Sequence, residues 1–220
     1  MTKLTMLLIA LALAPVTGCE SYVHGNGVFG EDTRSVPAFD GVSIGLGIVA
    51  TVRAGATERS VTLSGDQNVL QYIDTEVSDG VLKTSLSGID GFDSVHQVQL
   101  VIATPELVSV KAWGDSNVNA TSIGAASFTA VASEGSVVTL AADAAVATTL
   151  TLTASGTSTI TSVDYEAQDA TVTLSGGSHA DVFVTGTVGG SLSDGSTVTV
   201  HGGGSCNFTP PPGTACDLVP

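Results

Sequence analysis

Five times between Trp113 and Cys206 the chain spells the same small turn, with a Gly one or two positions before a Ser. The turns are WGDSNV (113–118), SEGSVV (133–138), SGTSTI (155–160), SGGSHA (175–180) and SDGSTV (193–198). Their anchors are Ser116, Ser136, Ser158, Ser178 and Ser196, so the turns recur at nearly even intervals. A fixed period of about 20 residues means one structural unit stacked repeatedly, and few architectures accommodate it.

The residues around each Ser give that unit its geometry. Eight, six and four positions before it stand Val108/Val110/Ala112, Phe128/Ala130/Ala132, Leu150/Leu152/Ala154, Ala170/Val172/Leu174 and Val188/Gly190/Leu192. Polar or small residues separate them, so each is a period-two strand with one buried face. Two and four positions after it stand Val118/Ala120, Val138/Leu140, Ile160/Ser162, Ala180/Val182 and Val198/Val200, a second short strand. A third side of variable length absorbs the differences in spacing. Gly at the corner supplies positive φ, and Ser can bond the local backbone.

Two or three short strands per period describe one coil of an all-β solenoid. Hairpin-linked strands of a sandwich would return at about half that spacing. Before Trp113 the repeat is less clean, although Val61/Leu63, Leu82/Leu86 and Val98/Leu100/Ile102 alternate alike. Helix is expected at 67–74 (QNVLQYID) alone.

Composition narrows the function classes. Six basic residues face 21 acidic ones, a net charge of −15, and every Lys or Arg lies at or before Lys111. Such a surface repels phosphate backbones and argues against a nucleic-acid partner. It suits a solvated acidic surface on an exported protein.

The first residues read as an address. Lys3 precedes an apolar stretch from Leu4 to Ala14, too short to span a bilayer and fitting a signal-peptide core. It ends in Val16-Thr17-Gly18-Cys19, which resembles the bacterial lipobox. The resemblance implies cleavage before Cys19 and lipidation of Cys19, hence a signal peptide over 1–18 and a membrane partner through the anchor. Glu20 rather than Asp follows the Cys, which favours the outer membrane. An ordinary secretory signal with Cys19 incidental is the alternative. Residues 19–33, with Gly25, Gly27 and Gly30, read as a flexible tether.

Three longer segments carry a second resemblance: RSVPAFDGVSIGLGIVATVRAG (34–55), SVTLSGDQNVLQYIDTEVSDGVLKTSL (60–86) and VQLVIATPELVSVKAWGDSNV (98–118). In this order they resemble the auto-transporter adhesin head, or GIN, domain family of bacteria, over about Arg34 to Cys206. The family usually repeats Gly-Ser-Gly at its corners, where this chain has varied, Asp-rich ones. The resemblance implies a right-handed, single-stranded β-helix over 34–206 on the cell envelope, with no enzyme activity and no catalytic residues.

Chemistry-bearing constellations are sparse, and no cofactor motif is present. His24, His96, His179 and His201 have no metal-ligand spacing. His179 and His201 fall near corners of neighbouring coils and read as solvated corner residues. Asp115, Glu134 and Asp194 sit near the same place in the repeat, but calcium needs six to eight oxygen ligands and the corners at 158 and 178 lack acids. Ser116 and Ser136 form no Gly-x-Ser-x-Gly elbow. Trp113 could stack on a sugar, although a lone aromatic more often packs.

With Cys19 assigned to lipid, Cys206 and Cys216 form an even pair in an exported chain. This favours a disulfide closing CNFTPPPGTAC and pinning a tail at 207–220 across the last coil, with free thiols or an intermolecular bridge as alternatives. Three roles follow for an envelope protein of this kind. One is an adhesin or binding scaffold for a surface glycan or protein, another a polysaccharide-active β-helix enzyme, and the third a purely structural periplasmic module.

Overall fold

The computed structural model describes residues 21–208 and 215–219. Its strands are short because a corner interrupts the alternation every few residues. The N-terminal half holds β1 (Tyr22–His24), β2 (Phe29–Thr33), β3 (Gly41–Ile44), β4 (Val49–Arg53), β5 (Ser60–Asp66), α1 (Gln67–Leu70), β6 (Ile73–Ser78), β7 (Val81–Leu86), β8 (Gly91–Asp93) and β9 (Gln99–Ala103). The coils follow: β10 (Ser109–Ala112), β11 (Asn117–Thr121), β12 (Ser127–Ala132), β13 (Val137–Ala141), β14 (Ala147–Ala154), β15 (Thr159–Leu174), β16 (His179–Val184), β17 (Thr187–Leu192), β18 (Thr197–His201), β19 (Ser205–Asn207) and β20 (Ala215–Leu218).

These strands stack into two parallel sheets that face each other across a narrow core. On the first, β3, β10, β12, β14, the second half of β15, β17 and β19 pair in turn. On the second, β4, β11, β13, the first half of β15, β16, β18 and β20 do the same. The chain is a β-solenoid whose coil length matches the Ser-to-Ser period. The alternating residues are the core: Val110, Ala130, Leu152 and Val172 lie in register on one sheet, Val118, Val138, Ile160, Ala180 and Val198 on the other, all buried. The third side does absorb the spacing, since the whole segment 142–146 separates β13 from β14 but only Thr185 and Gly186 separate β16 from β17.

Aromatic bulk enters the core at the long third sides. Tyr165 is fully buried, meets Phe128 edge-on at 5.9 Å and donates its hydroxyl to the Ala125 carbonyl. Burial disfavours its phenolate and pushes its pKa up to about 12.

Before Trp113 the stack continues in a form that the repeat hides. β3 and β4 make a further coil in register with β10 and β11, although Gly41 and its partner Ser109 lie far apart in the chain. Below it, β7 and β9 pair parallel to β3 and β4. The end is then closed by antiparallel strands: β6 on β7, and β5 and β2 outside β9. An open solenoid end would offer unpaired edges, and reversing the chain covers them with its own strands. Of the helix expected at 67–74 only the turn α1 forms, and Ile73 and Asp74 already belong to β6.

Two expected boundaries are corrected. Over its described part, residues 21–33, the tether is built into the fold, because β1 pairs with β8 and β2 with β5. Gly25 allows close approach rather than looseness: a Cβ there would collide with the Asp66 carboxylate. The described parts of 207–220 are not a tail laid across the last coil. β19 and β20 form one more coil, stacked on β17 and β18. The disulfide between Cys206 and Cys216 joins them, with Cα atoms 6.5 Å apart. Both cysteines take core positions, in register with buried Val188 and Val198, so a covalent bond fills the open end where side chains run out. Closing so short a loop contributes about 2–3 kcal/mol.

Candidate functional site

The corners place everything else. Each has two successive residues with positive φ: Gly114/Asp115, Glu134/Gly135, Gly156/Thr157, Gly176/Gly177 and Asp194/Gly195. This is the pattern of a type I′ turn, which explains why Gly, Asp and other small polar residues recur there. Asp115, Glu134 and Asp194 therefore serve as turn residues, Glu134 and Asp194 at the first turn position and Asp115 at the second. Among the described residues no group of three or more His, Cys, Asp or Glu is arranged to hold a metal.

The Ser after each corner turns inward and is fully buried. Ser136 Oγ accepts from the Ser116 N–H at 3.1 Å, Ser178 Oγ from Ser158 at 3.2 Å, and Ser196 Oγ from Ser178 at 3.2 Å. Ser158 and Ser178 also donate to the carbonyls of Ser155 and Ser175, each at 2.8 Å. The hydroxyls form a polar spine along the stack and are not available as nucleophiles. Trp113 packs likewise: its ring fills the space a Cβ would need at Gly45, about 2.0 Å away.

With corners and core accounted for, the accessible chemistry lies on the outward faces. On the first sheet Ser109, Thr129, Thr151 and Thr171 stand in register on successive coils. Parallel pairing sets these hydroxyls about 4.8 Å apart, a flat polar strip. On the second sheet the outward row runs Thr51, Asn119, Thr139, Thr161, Asp181, Thr199 and Asp217.

Asp181 is where this second row acquires charge. His201 Nε2 lies 3.3 Å from Asp181 Oδ1, and His179 Nε2 lies 3.5 Å from Oδ2. His179 Nδ1 also bonds the Thr197 hydroxyl at 2.8 Å. The two histidines are thus brought together through a shared acid, and His201 belongs to the end of β18 rather than to a Ser corner. The sequence holds a signal for this: His179, Asp181 and His201 all lie on the outward parity of paired strands.

The remaining histidines sit at the N-terminal end. His24 Nδ1 meets Asp93 at 2.7 Å on the surface, and this hydrogen bond holds the Asp93 carboxyl below its ordinary value. Asp66, fully buried, accepts from the Val95 N–H and shares a bond with His96 Nδ1, both at 2.6 Å, and takes a third from Ser94 at 3.1 Å. Burial works against its charge, but the bonds from His96, Val95 and Ser94 outweigh it and lower the pKa. Asp66 lies in the SGDQN segment and its partners lie beyond β7, so local pattern does not expose its role. Cys19 lies outside the described residues.

Solved structures share this architecture. The chain superposes on a Bacteroides fragilis protein described as a "putative adhesin", with a TM-score of 0.70 at 13% identity, covering 89% of this chain and 99% of that one. It is similar to a protein of the same description from Parabacteroides distasonis (TM-score 0.59, 17% identity, 90% and 100% covered) and to one from Parabacteroides merdae (0.53, 15%, 91% and 100%). At these identities the likeness establishes the shared fold. No curated protein sequence matches the chain. A family model matches residues 38–204, nearly the whole described solenoid, and the chain belongs to that family, described as "Putative auto-transporter adhesin, head GIN domain".

Proposed function

We propose that this chain is a non-enzymatic lipoprotein of the cell envelope, anchored in the outer membrane through Cys19, whose solenoid is a binding scaffold for a surface glycan or protein. The register of the outward hydroxyl rows supports the binding role most directly. Ser109, Thr129, Thr151 and Thr171 present a regular, flat, uncharged surface that nothing in the fold uses. A strip of this kind suits an extended partner, which meets the same donors and acceptors at each coil. The chemistry argues against a hydrolase or lyase: the buried Ser spine is inaccessible, and the acids at the corners are turn residues. Val16-Thr17-Gly18-Cys19 supports the anchor.

The test has two arms. Replacing Cys19 by Ala is expected to move the chain from the membrane to the soluble fraction; unchanged partitioning removes the lipoprotein reading. Replacing Thr151 and Thr171 by Arg is expected to abolish binding to cells or glycan arrays without lowering the melting temperature. Cleavage products from any acidic polysaccharide would favour the enzyme alternative instead.

A further inference from the structure

Of the large apolar side chains exposed to solvent, four gather at one end of the molecule: Tyr22 at 53%, Val28 at 51%, Phe29 at 56% and Val95 at 71%. A chain of contacts links them. The Tyr22 ring lies 5.2 Å from His24, which is bonded to Asp93; Val95 follows on the next loop, and the His96 ring meets Phe29 at 5.8 Å. Val28 joins through its carbonyl, which accepts from Gln67 beside Asp66. Exposed Val146 lies on the third side between β13 and β14, apart from this group. The four residues are also held rigidly. The Asp66 bonds fix the 94–96 loop, and the Asn68 side chain bonds both the Asn26 N–H and the His24 carbonyl.

We infer that this end is a membrane-docking face, on which Tyr22, Val28, Phe29 and Val95 seat in the headgroup region of the bilayer and hold the solenoid in a fixed orientation to it. The inference rests on the lipoprotein reading above. Tyr22 follows Cys19 closely in the chain, and the link between them spans at most about 11 Å. A lipid on Cys19 therefore keeps this end against the membrane surface whatever the rest does. Aromatic and aliphatic side chains rimmed by His and Asn suit that zone. Among the described residues, three acids beside the patch are engaged: Asp93 with His24, Asp66 buried with His96, and Asp90 accepting from the Ser21 N–H. Glu31, on the side of β2 shared with Phe29, marks the polar edge. Arg34 is tied to Asp32 and the Leu70 carbonyl, so zwitterionic rather than anionic lipid is the partner that fits.

The mature lipidated protein, beginning at Cys19, purified from membranes and reconstituted into phosphatidylcholine vesicles, provides the test. Single variants F29W, V95W and, as a distant exposed control, V146W are compared with the wild type, whose Trp113 gives the background. Lipids brominated along the acyl chain are expected to quench F29W and V95W severalfold more than V146W. Co-flotation with vesicles but equal quenching at all three positions overturns the docking face alone. Failure of the wild type to co-float removes the lipoprotein reading and the docking face with it. Self-association in vesicle-free solution that F29D abolishes also overturns it, since the patch would then join two copies.

Discussion

The five corner serines look alike in sequence but are not equal in energy. The hydroxyls of Ser136, Ser178 and Ser196 each accept from the amide of the Ser one coil earlier. Ser116 accepts no such bond, because the N–H of Ile48, one coil earlier, donates to the Gly45 carbonyl instead. Its Oγ is buried without a partner among the described residues. Ser178, by contrast, accepts from Ser158 and donates to Ser175. Ser178→Ala strands two buried backbone groups and is expected to lower stability by about 2 kcal/mol. Ser116→Ala removes an unsatisfied group and is expected to be neutral or stabilising. Urea unfolding midpoints of the two variants provide the comparison, and an equal loss in both would mean that the spine carries no energy.

Among the elements, the coils and the N-terminal cap rest on different forces. The coils are held by their apolar core, whereas the cap also depends on the bonds of Asp66 and Asp93. Both carboxyls have folded pKa values below their ordinary 3.8. A depressed carboxyl contributes stability that is complete above its unfolded value and is lost as pH falls through its folded one. The cap is therefore expected to loosen below about pH 3.8 while the coils persist. Hydrogen exchange would show Val95 and Gln67 amides losing protection before those of β12 to β16. The same division governs what can be read from sequence. Leu150/Leu152 and Val138/Leu140 declare their faces because strand alternation is a local property. The coil of β3 and β4 does not, because Leu46 takes the positive-φ corner that Gly or an acid takes elsewhere and Ile48 replaces the Ser. Residues 21–33 read as a tether because what orders them is distant: Asn26 bonds Asn68, 42 positions on, and His24 bonds Asp93, 69 positions on.

At the scale of the whole molecule, the two ends are specialised and the middle is uniform. One end is sealed by antiparallel strands and carries the exposed aromatic group; the other is sealed by the Cys206–Cys216 bond. Between them, Ser158 and Ser178 are separated by one whole period, and the strands after them pair residue for residue from Thr159↔His179 to Ser162↔Val182. The height of the molecule is thus a count, independent of either terminus. Excising residues 159–178 joins Ser158 to His179 with the spine in phase. It is expected to give a folded protein shorter by one strand spacing, about 4.8 Å. Small-angle scattering and circular dichroism would register the change. A protein built this way can change its reach one coil at a time without redesigning either end.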